Sequence, residues 1–183
     1  FSSYRMMEET AEAFTELLET EEMHPQLILQ QQGMTEAERE AFLVRFEETP
    51  PEGLIGLCVM GGIFSEGIDL KAERLIGAIV VGPGLPQVCR ERELLKNFYD
   101  ARGEDGFFYA YLCPGMNKVL QSAGRVIRTE ADEGVILLLD ERFAAARYRN
   151  LFPAEWQAPQ TCTLQTVQGC LAKFWSERQT ERI

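Results

Sequence analysis

The sequence is short of the residues on which much enzyme chemistry depends. It has one histidine, His24, followed by Pro25. Imidazole acid–base catalysis and a His-rich metal site therefore have nothing to stand on, and no H-E-x-x-H occurs. The five cysteines (Cys58, Cys89, Cys113, Cys162 and Cys170) are odd in number, widely spaced and free of any C-x-x-C pair. That pattern argues against a zinc ribbon and a disulfide framework and fits a reducing compartment. Lysines occur at 71, 96, 118 and 173, none within a G-x-x-x-x-G-K-[ST] phosphate loop. No apolar run approaches the roughly 18 residues of a membrane span, and the N-terminus lacks the basic-then-apolar layout of a signal peptide. A cytoplasmic chain with no membrane contact is the expectation. Basic residues are also outnumbered, 18 Lys plus Arg against 29 Asp plus Glu for a net charge of −11. Bulk charge thus gives no sign of a nucleic-acid or anionic-membrane binder. An initiating Met is missing as well: the chain opens Phe1-Ser2-Ser3-Tyr4, as expected of a segment processed or excised from a longer protein.

What is present describes a globular protein. Over 183 residues the composition is 45% hydrophobic and 26% charged, which excludes disorder, collagen and coiled coil and suffices for one buried core. The acidity is uneven: residues 1–52 hold 13 acids and 3 bases, leaving 16 acids and 15 bases for residues 53–183. Met7, Ala11, Phe14 and Leu18 fall on one helical face, predicting a helix near 5–20 with its glutamates mostly elsewhere. Leu27-Ile28-Leu29 reads as a strand. Thr35-Glu36-Ala37-Glu38 has the pattern of a capping box and opens a second acidic helix, which Pro50-Pro51 must end. The apolar runs 54–60, 75–81 and 135–139 are too continuous for half-exposed strands and suit a parallel sheet covered by helices on both faces. Helices are predicted at about 88–101, 107–112, 116–128 and 142–150. A last one, near 164–178, carries a stripe of Val167, Cys170, Leu171, Phe174 and Trp175. The expectation is a single α/β domain over 1–183, with 151–183 as a C-terminal extension helix.

Three stretches can carry chemistry. Gly61-Gly62-Ile63-Phe64-Ser65-Glu66-Gly67-Ile68-Asp69 follows a strand directly, at the carboxyl edge where ligands collect in open α/β sheets. It supplies a hydroxyl and two carboxylates beside flexible glycines; read alone, it fits a mobile turn as well as a site. In the predicted helix 116–128, at 100° per residue, Gln121, Arg125 and Arg128 share an arc of about 60°. Two permanently charged guanidinium groups aimed together suit phosphate oxygens. They equally suit a solvated face pairing with Glu130 or Glu133. Val119, Val126 and Ile127 point elsewhere as anchors, while Gly124 permits close packing against a neighbour. Gly82-Pro83-Gly84-Leu85-Pro86 lacks a third glycine and has two prolines without donors, which disfavours a dinucleotide fingerprint. The cluster Phe107-Phe108-Tyr109-Tyr111 reads as core packing ahead of a base-stacking platform.

Together these segments resemble the second motor domain of a superfamily 2 DNA helicase of the XPD/DinG-like branch. Gly62-Ile63-Phe64-Ser65-Glu66-Gly67-Ile68-Asp69-Leu70 is similar to motif V of that branch, and Gln121-Ser122-Ala123-Gly124-Arg125-Val126-Ile127-Arg128 to motif VI, Q-x-x-G-R-x-I-R. Asp132, Gly134, Asp140 and Arg142 continue its D-x-G and D-x-R pattern. Phe1-Ser2-Ser3-Tyr4 resembles motif IV, and Gly84-Leu85-Pro86 its G-L-P loop. The five patterns stand in order over about 1–142.

The resemblance implies a RecA-like fold, with ATP and Mg2+ bound between this domain and an N-terminal motor domain that carries the phosphate loop. It implies that Arg125 and Arg128 act as arginine fingers, that Gln121 orients them or the attacking water, and that Glu66, Gly67 and Asp69 serve the nucleotide. Ser2, Ser3, Tyr4 and Ser65 would lie on a single-stranded DNA track. A 4Fe-4S cluster, where present, would belong to the N-terminal half, with no metal in this chain. The fragment is expected to be monomeric, inactive by itself, and part of a cytoplasmic, nucleoid-associated bacterial enzyme. The competing expectation is a degenerate, non-catalytic module that binds single-stranded nucleic acid or a protein. Retention of Gln121, Arg125 and Arg128 argues against it.

Overall fold

A computed structural model describes residues 1–47, 50–61, 75–127, 132–156 and 159–181. The chain falls into two compact units, Phe1–Leu151 and Phe152–Ile183. In the first, α1 (Tyr4–Thr20) is N-capped by Ser3, whose hydroxyl accepts from Met6 N at 3.3 Å. Met7, Ala11 and Leu18 of its stripe are buried and Phe14 is half-buried, while Glu8, Glu9, Glu12, Glu16 and Glu19 face solvent. β1 (Gln26–Leu29) precedes α2 (Glu36–Val44), which the expected capping box opens: Glu38 N donates to Thr35 Oγ1, and Thr35 N to Glu38 Oε2. A 3-10 turn, Arg45–Glu47, follows.

β2 (Leu54–Leu57) pairs in parallel with β1, Gln26 opposite Leu54 through Leu29 opposite Leu57. β3 (Gly77–Val81) pairs in parallel with β4 (Val135–Leu139), Gly77 opposite Val135 through Val81 opposite Leu139. The sequence predicts one sheet; among the described residues there are two parallel pairs. Phe1 adds a rung to the first pair. Its ammonium donates to Cys58 O at 2.8 Å, and Met60 N donates to Phe1 O at 2.8 Å. That alternation belongs to a parallel ladder, and it lies on the edge of β2 opposite β1.

α3 (Arg90–Ala101) leads to a π-helical stretch, Phe108–Leu112, that runs straight into α4 (Cys113–Ala123). The two helices expected over this region are therefore continuous. Leu112, Met116, Val119, Ala123 and Val126 are almost fully buried along α4 and the turn after it, and Val80 of β3 is buried too. The aromatic cluster packs on itself, with core burial reached by Tyr111 while Phe107 and Phe108 are half-buried and Tyr109 is exposed. Tyr99 stacks on Tyr109 at 4.1 Å and Phe107 on Tyr111 at 5.4 Å. A 3-10 turn, Glu141–Ala144, and α5 (Ala146–Arg149) complete the unit, with Phe143 edge-on to Tyr148. The second unit contains α6 (Val167–Glu181), in which Val167, Cys170, Leu171, Phe174 and Trp175 form the half-buried side.

Candidate functional site

Four separate segments meet where β2 and β3 end at their carboxyl edges. Met60 and Gly61 continue from β2, and Gly82-Pro83-Gly84-Leu85-Pro86 continues from β3. The first turns of α4 lie across both. Gly115 packs so closely on the second segment that a methyl group built there would lie 2.7 Å from Pro83 O and 3.1 Å from Leu85 Cα. Gly84 is in the left-handed region at φ +61°, and a methyl there would sit 3.2 Å from Gly115 O and 3.4 Å from Met60 Cε. Both glycines are thus required by contact, and Gly84 by its backbone as well. Phe1, through its bonds to Cys58 and Met60, brings the start of α1 to the same edge. At the end of β4 stands the Asp140–Arg142 pair. Arg142 donates from N and Nε to Oδ1 (2.9 and 2.8 Å) and from Nη2 to Oδ2 (2.7 Å). This pair faces Gly82, whose methyl would lie 3.8 Å from Asp140 Oδ2. The guanidinium beside Asp140 holds its carboxyl below the usual value of 3.8.

The residues expected from sequence are placed unevenly. Ser2 is exposed, and its hydroxyl approaches Met6 Sδ at 3.7 Å. Ser3 is committed to capping α1, and the Tyr4 hydroxyl accepts from Gln30 Nε2 at 2.8 Å. Gln121 lies exposed in the last turn of α4. Arg125 is half-buried and lies beyond the helix, which corrects the expected shared helical arc. The helix closes at Gly124 (φ −65°, ψ 0°), and Arg125 N and Val126 N then bond to Ser122 O and Ala123 O at 3.3 and 3.0 Å in tighter turns. The 100° step therefore stops before Arg125. Two forces favour this end: glycine's weak helix propensity, and the burial of Val126 against Gly134, where no Cβ would fit. Gly124 itself meets only carbonyls of its own helix, so the close helix–loop approach belongs to Gly115 instead. Ile127, expected as an anchor, is exposed. Arg128, Ser65, Glu66, Gly67 and Asp69 lie outside the described residues, as do Glu130 and the motif segment 62–70.

Two residues at this edge carry no strong signal in the sequence. Gln30, 4% exposed, bonds through its side chain to Tyr4 and to Val59 N, the latter at 2.8 Å. Its only mark is a polar residue directly after the apolar run 27–29. Lys118 stands one turn before Gln121 and reaches over Gly61 and Gly84.

Burial pushes the Cys58 thiol up to about 12, which keeps it a neutral thiol at physiological pH. The Glu93 carboxylate, accepting from the Tyr111 hydroxyl at 2.5 Å, holds that phenol up to about 12. All five cysteines are free. Among the described residues no three His, Cys, Asp or Glu side chains group as metal ligands, and no helix is long and apolar enough to cross a membrane.

Comparison with known proteins bears on the same segments. Residues 1–159 match the model of a family described as the helicase C-terminal domain. A probable ATP-dependent helicase of Methanocaldococcus jannaschii is 30% identical over 138 residues, covering 70% of this chain and 20% of that protein. The regulator of telomere elongation helicase 1 homolog of Caenorhabditis briggsae is 28% identical over 205 residues, covering 97% of this chain and 20% of its own length. The ATP-dependent DNA helicase DinG of Photobacterium profundum is 29% identical over 150 residues, covering 81% and 21%. The chain spans about a fifth of the length of these relatives.

Proposed function

Since this chain belongs to the helicase C-terminal domain family, we propose that it is the RecA-like second motor domain of an XPD/DinG-type ATP-dependent DNA helicase. The observation that carries the reading is the convergence of the ends of β2 and β3, the start of α1 and the helix α4 on one carboxyl edge. In doubly wound folds ligands bind at such an edge.

In this reading the ATP site is shared with an N-terminal motor domain that supplies the phosphate loop. Arg125 and Arg128 reach the β- and γ-phosphates and stabilise the charge that develops as the γ-phosphoryl group transfers, a role worth about 10³–10⁵ in rate in other NTPases. Gln121, exposed at the end of α4, orients these groups or the attacking water. Glu66, Gly67 and Asp69 contact the nucleotide, and Ser65 links that site to the single strand. Ser2, Ser3 and Tyr4 hold DNA phosphates chiefly through the backbone amides at the start of α1, because the Ser3 and Tyr4 hydroxyls already have partners. Magnesium accompanies the nucleotide. Its ligands, like those of a 4Fe-4S cluster where the enzyme has one, come from the N-terminal half. The acidic outer face of α1 turns away from DNA, and the enzyme works on nucleoid DNA in the cytoplasm.

The test is Arg128→Ala in the longer protein. Single-strand-stimulated ATPase should be lost while oligonucleotide binding persists. Wild-type turnover in that variant would refute the arginine-finger role and favour a non-catalytic binding module. The 183-residue chain alone should show no ATPase.

A further inference from the structure

We propose that Lys118 is a phosphate-binding residue of this edge, its ammonium held over the backbone of Gly61 just after β2. The inference rests on the functional reading above and adds to it a contact made by neither the arginine pair nor the start of α1.

The position of the side chain is fixed by packing. Gly61 has φ +79°, and a methyl group built on it would lie 3.0 Å from Lys118 Cε, 3.2 Å from Cδ and 3.3 Å from Nζ. The Lys118 Cβ would lie 3.6 Å from a methyl on Gly84. The lysine stem therefore occupies the space that side chains at these glycines would need, and its charged end is brought over the Gly61 backbone.

The charge at that end is unanswered. Among the described residues the Lys118 ammonium has no hydrogen-bond or ion-pair partner; it is the backbone carbonyl of this residue that is engaged, accepting from Ser122 Oγ at 2.9 Å. Other cations of the first unit are tied: Lys96 to Asp100, Arg142 to Asp140, Arg147 to Asp105, and Arg92 to Ala110 O. The sequence around Lys118 also contains no carboxylate, in residues 113–127 or in the facing stretch 82–88, although the chain holds 29 acids. A half-buried lysine in a strongly acidic protein, without a carboxylate partner among the described residues and placed at a parallel-strand carboxyl edge, suits an anionic oxygen from outside the chain. A phosphate group is that anion, carried either by a single-stranded DNA backbone or by a nucleotide.

Lys118→Met keeps the methylenes that pack on Gly61 and Gly84 and removes the charge; Lys118→Arg keeps the charge. The longer protein, with both halves of the proposed nucleotide site, is titrated with a fluorescein-labelled 20-mer of deoxythymidine at several salt concentrations, and separately with a fluorescent ATP analogue and magnesium. Equal melting temperatures confirm folding. For a DNA contact, Lys118→Met should weaken oligonucleotide binding about five- to tenfold and lower the salt-dependence slope by about 0.7, the value of one single-strand phosphate contact. For a nucleotide contact, only the analogue should bind more weakly. Lys118→Arg should restore the affected ligand in either case. If wild type binds and Lys118→Met matches it for both ligands, the Lys118 assignment fails and the motor-domain reading stands. If wild type binds neither ligand, the reading falls and the assignment with it.

Discussion

The side-chain amide of Gln30 donates to the hydroxyl of Tyr4 across a 2.8 Å hydrogen bond, and its oxygen accepts from Val59 N at the same distance. One buried side chain at the end of β1 thereby ties the first turn of α1 to the backbone leaving β2. The two segments it joins are those in which a single-strand track and a nucleotide loop are proposed. Around the tie, Met7, Ala11 and Leu57 form an apolar cluster with Phe1, Tyr4 and Val59 against it.

Removing this tie should cost stability in a characteristic way. Gln30→Leu leaves the Val59 N–H without its acceptor and should destabilise the chain by about 1–3 kcal/mol, whereas Tyr4→Phe should cost about 0.5–1.5 kcal/mol. Because the two side chains share a bond, the double variant should cost less than the two single losses added together. Urea denaturation of the four proteins measures the coupling; strict additivity would show that the Gln30–Tyr4 bond contributes nothing.

Local grammar makes much of this framework legible in the sequence. The Met7-Ala11-Phe14-Leu18 stripe, the Thr35–Glu38 capping box and the apolar runs of β1, β3 and β4 each report a short-range preference that packing then satisfies. The end of α4 is not legible in the same way, because the periodicity through Gln121, Arg125 and Arg128 is compatible with helix. Gly124 marks a weak point, but the force that adds to it is the burial of Val126 against Gly134, a contact between residues eight apart that exists only after folding. Gln30 and Lys118 escape for a related reason. A glutamine after a strand and a lysine on a helix are ordinary in sequence, and only the parallel pairing of β1 with β2 and the seat of α4 on Gly61 and Gly84 give them a place. Of the residues proposed for the nucleotide site, Gln121 and Arg125 are among those the structure describes.

The seat of α4 should be intolerant of a single methyl group. In Gly115→Ala the new carbon would meet Pro83 O at 2.7 Å and Leu85 Cα at 3.1 Å, both backbone atoms that cannot rotate away. Overpacking of this kind costs about 1–3 kcal/mol. Gly77→Ala in β3 is the internal comparison, since its methyl meets only Val135 O at 3.4 Å and should change stability by less than about 0.5 kcal/mol. Thermal melts of both variants decide the point, and a Gly115→Ala protein as stable as Gly77→Ala would mean that α4 is not seated on this loop.

The Asp140–Arg142 pair should leave a mark on acid stability. Asp140 also caps the turn that follows β4, accepting from Arg142 N. The Arg142 guanidinium holds the folded-state carboxyl below 3.8, so the unfolded chain takes up its proton first as pH falls. The stabilisation is therefore fully present above the unfolded value and is lost as pH drops through the lower, folded one. With half of the Arg142 side chain exposed, the pair should be worth no more than about 1 kcal/mol at neutral pH. Asp140→Asn should accordingly melt lower than wild type between pH 5 and 7, by a constant margin, and the two curves should draw together as pH falls below the unfolded value of 3.8 and wild type protonates. Melting curves at half-unit steps from pH 7 to pH 2.5 measure this. A margin that persists undiminished to pH 2.5 would show that the ionised form of Asp140 is not what holds the end of β4 in place.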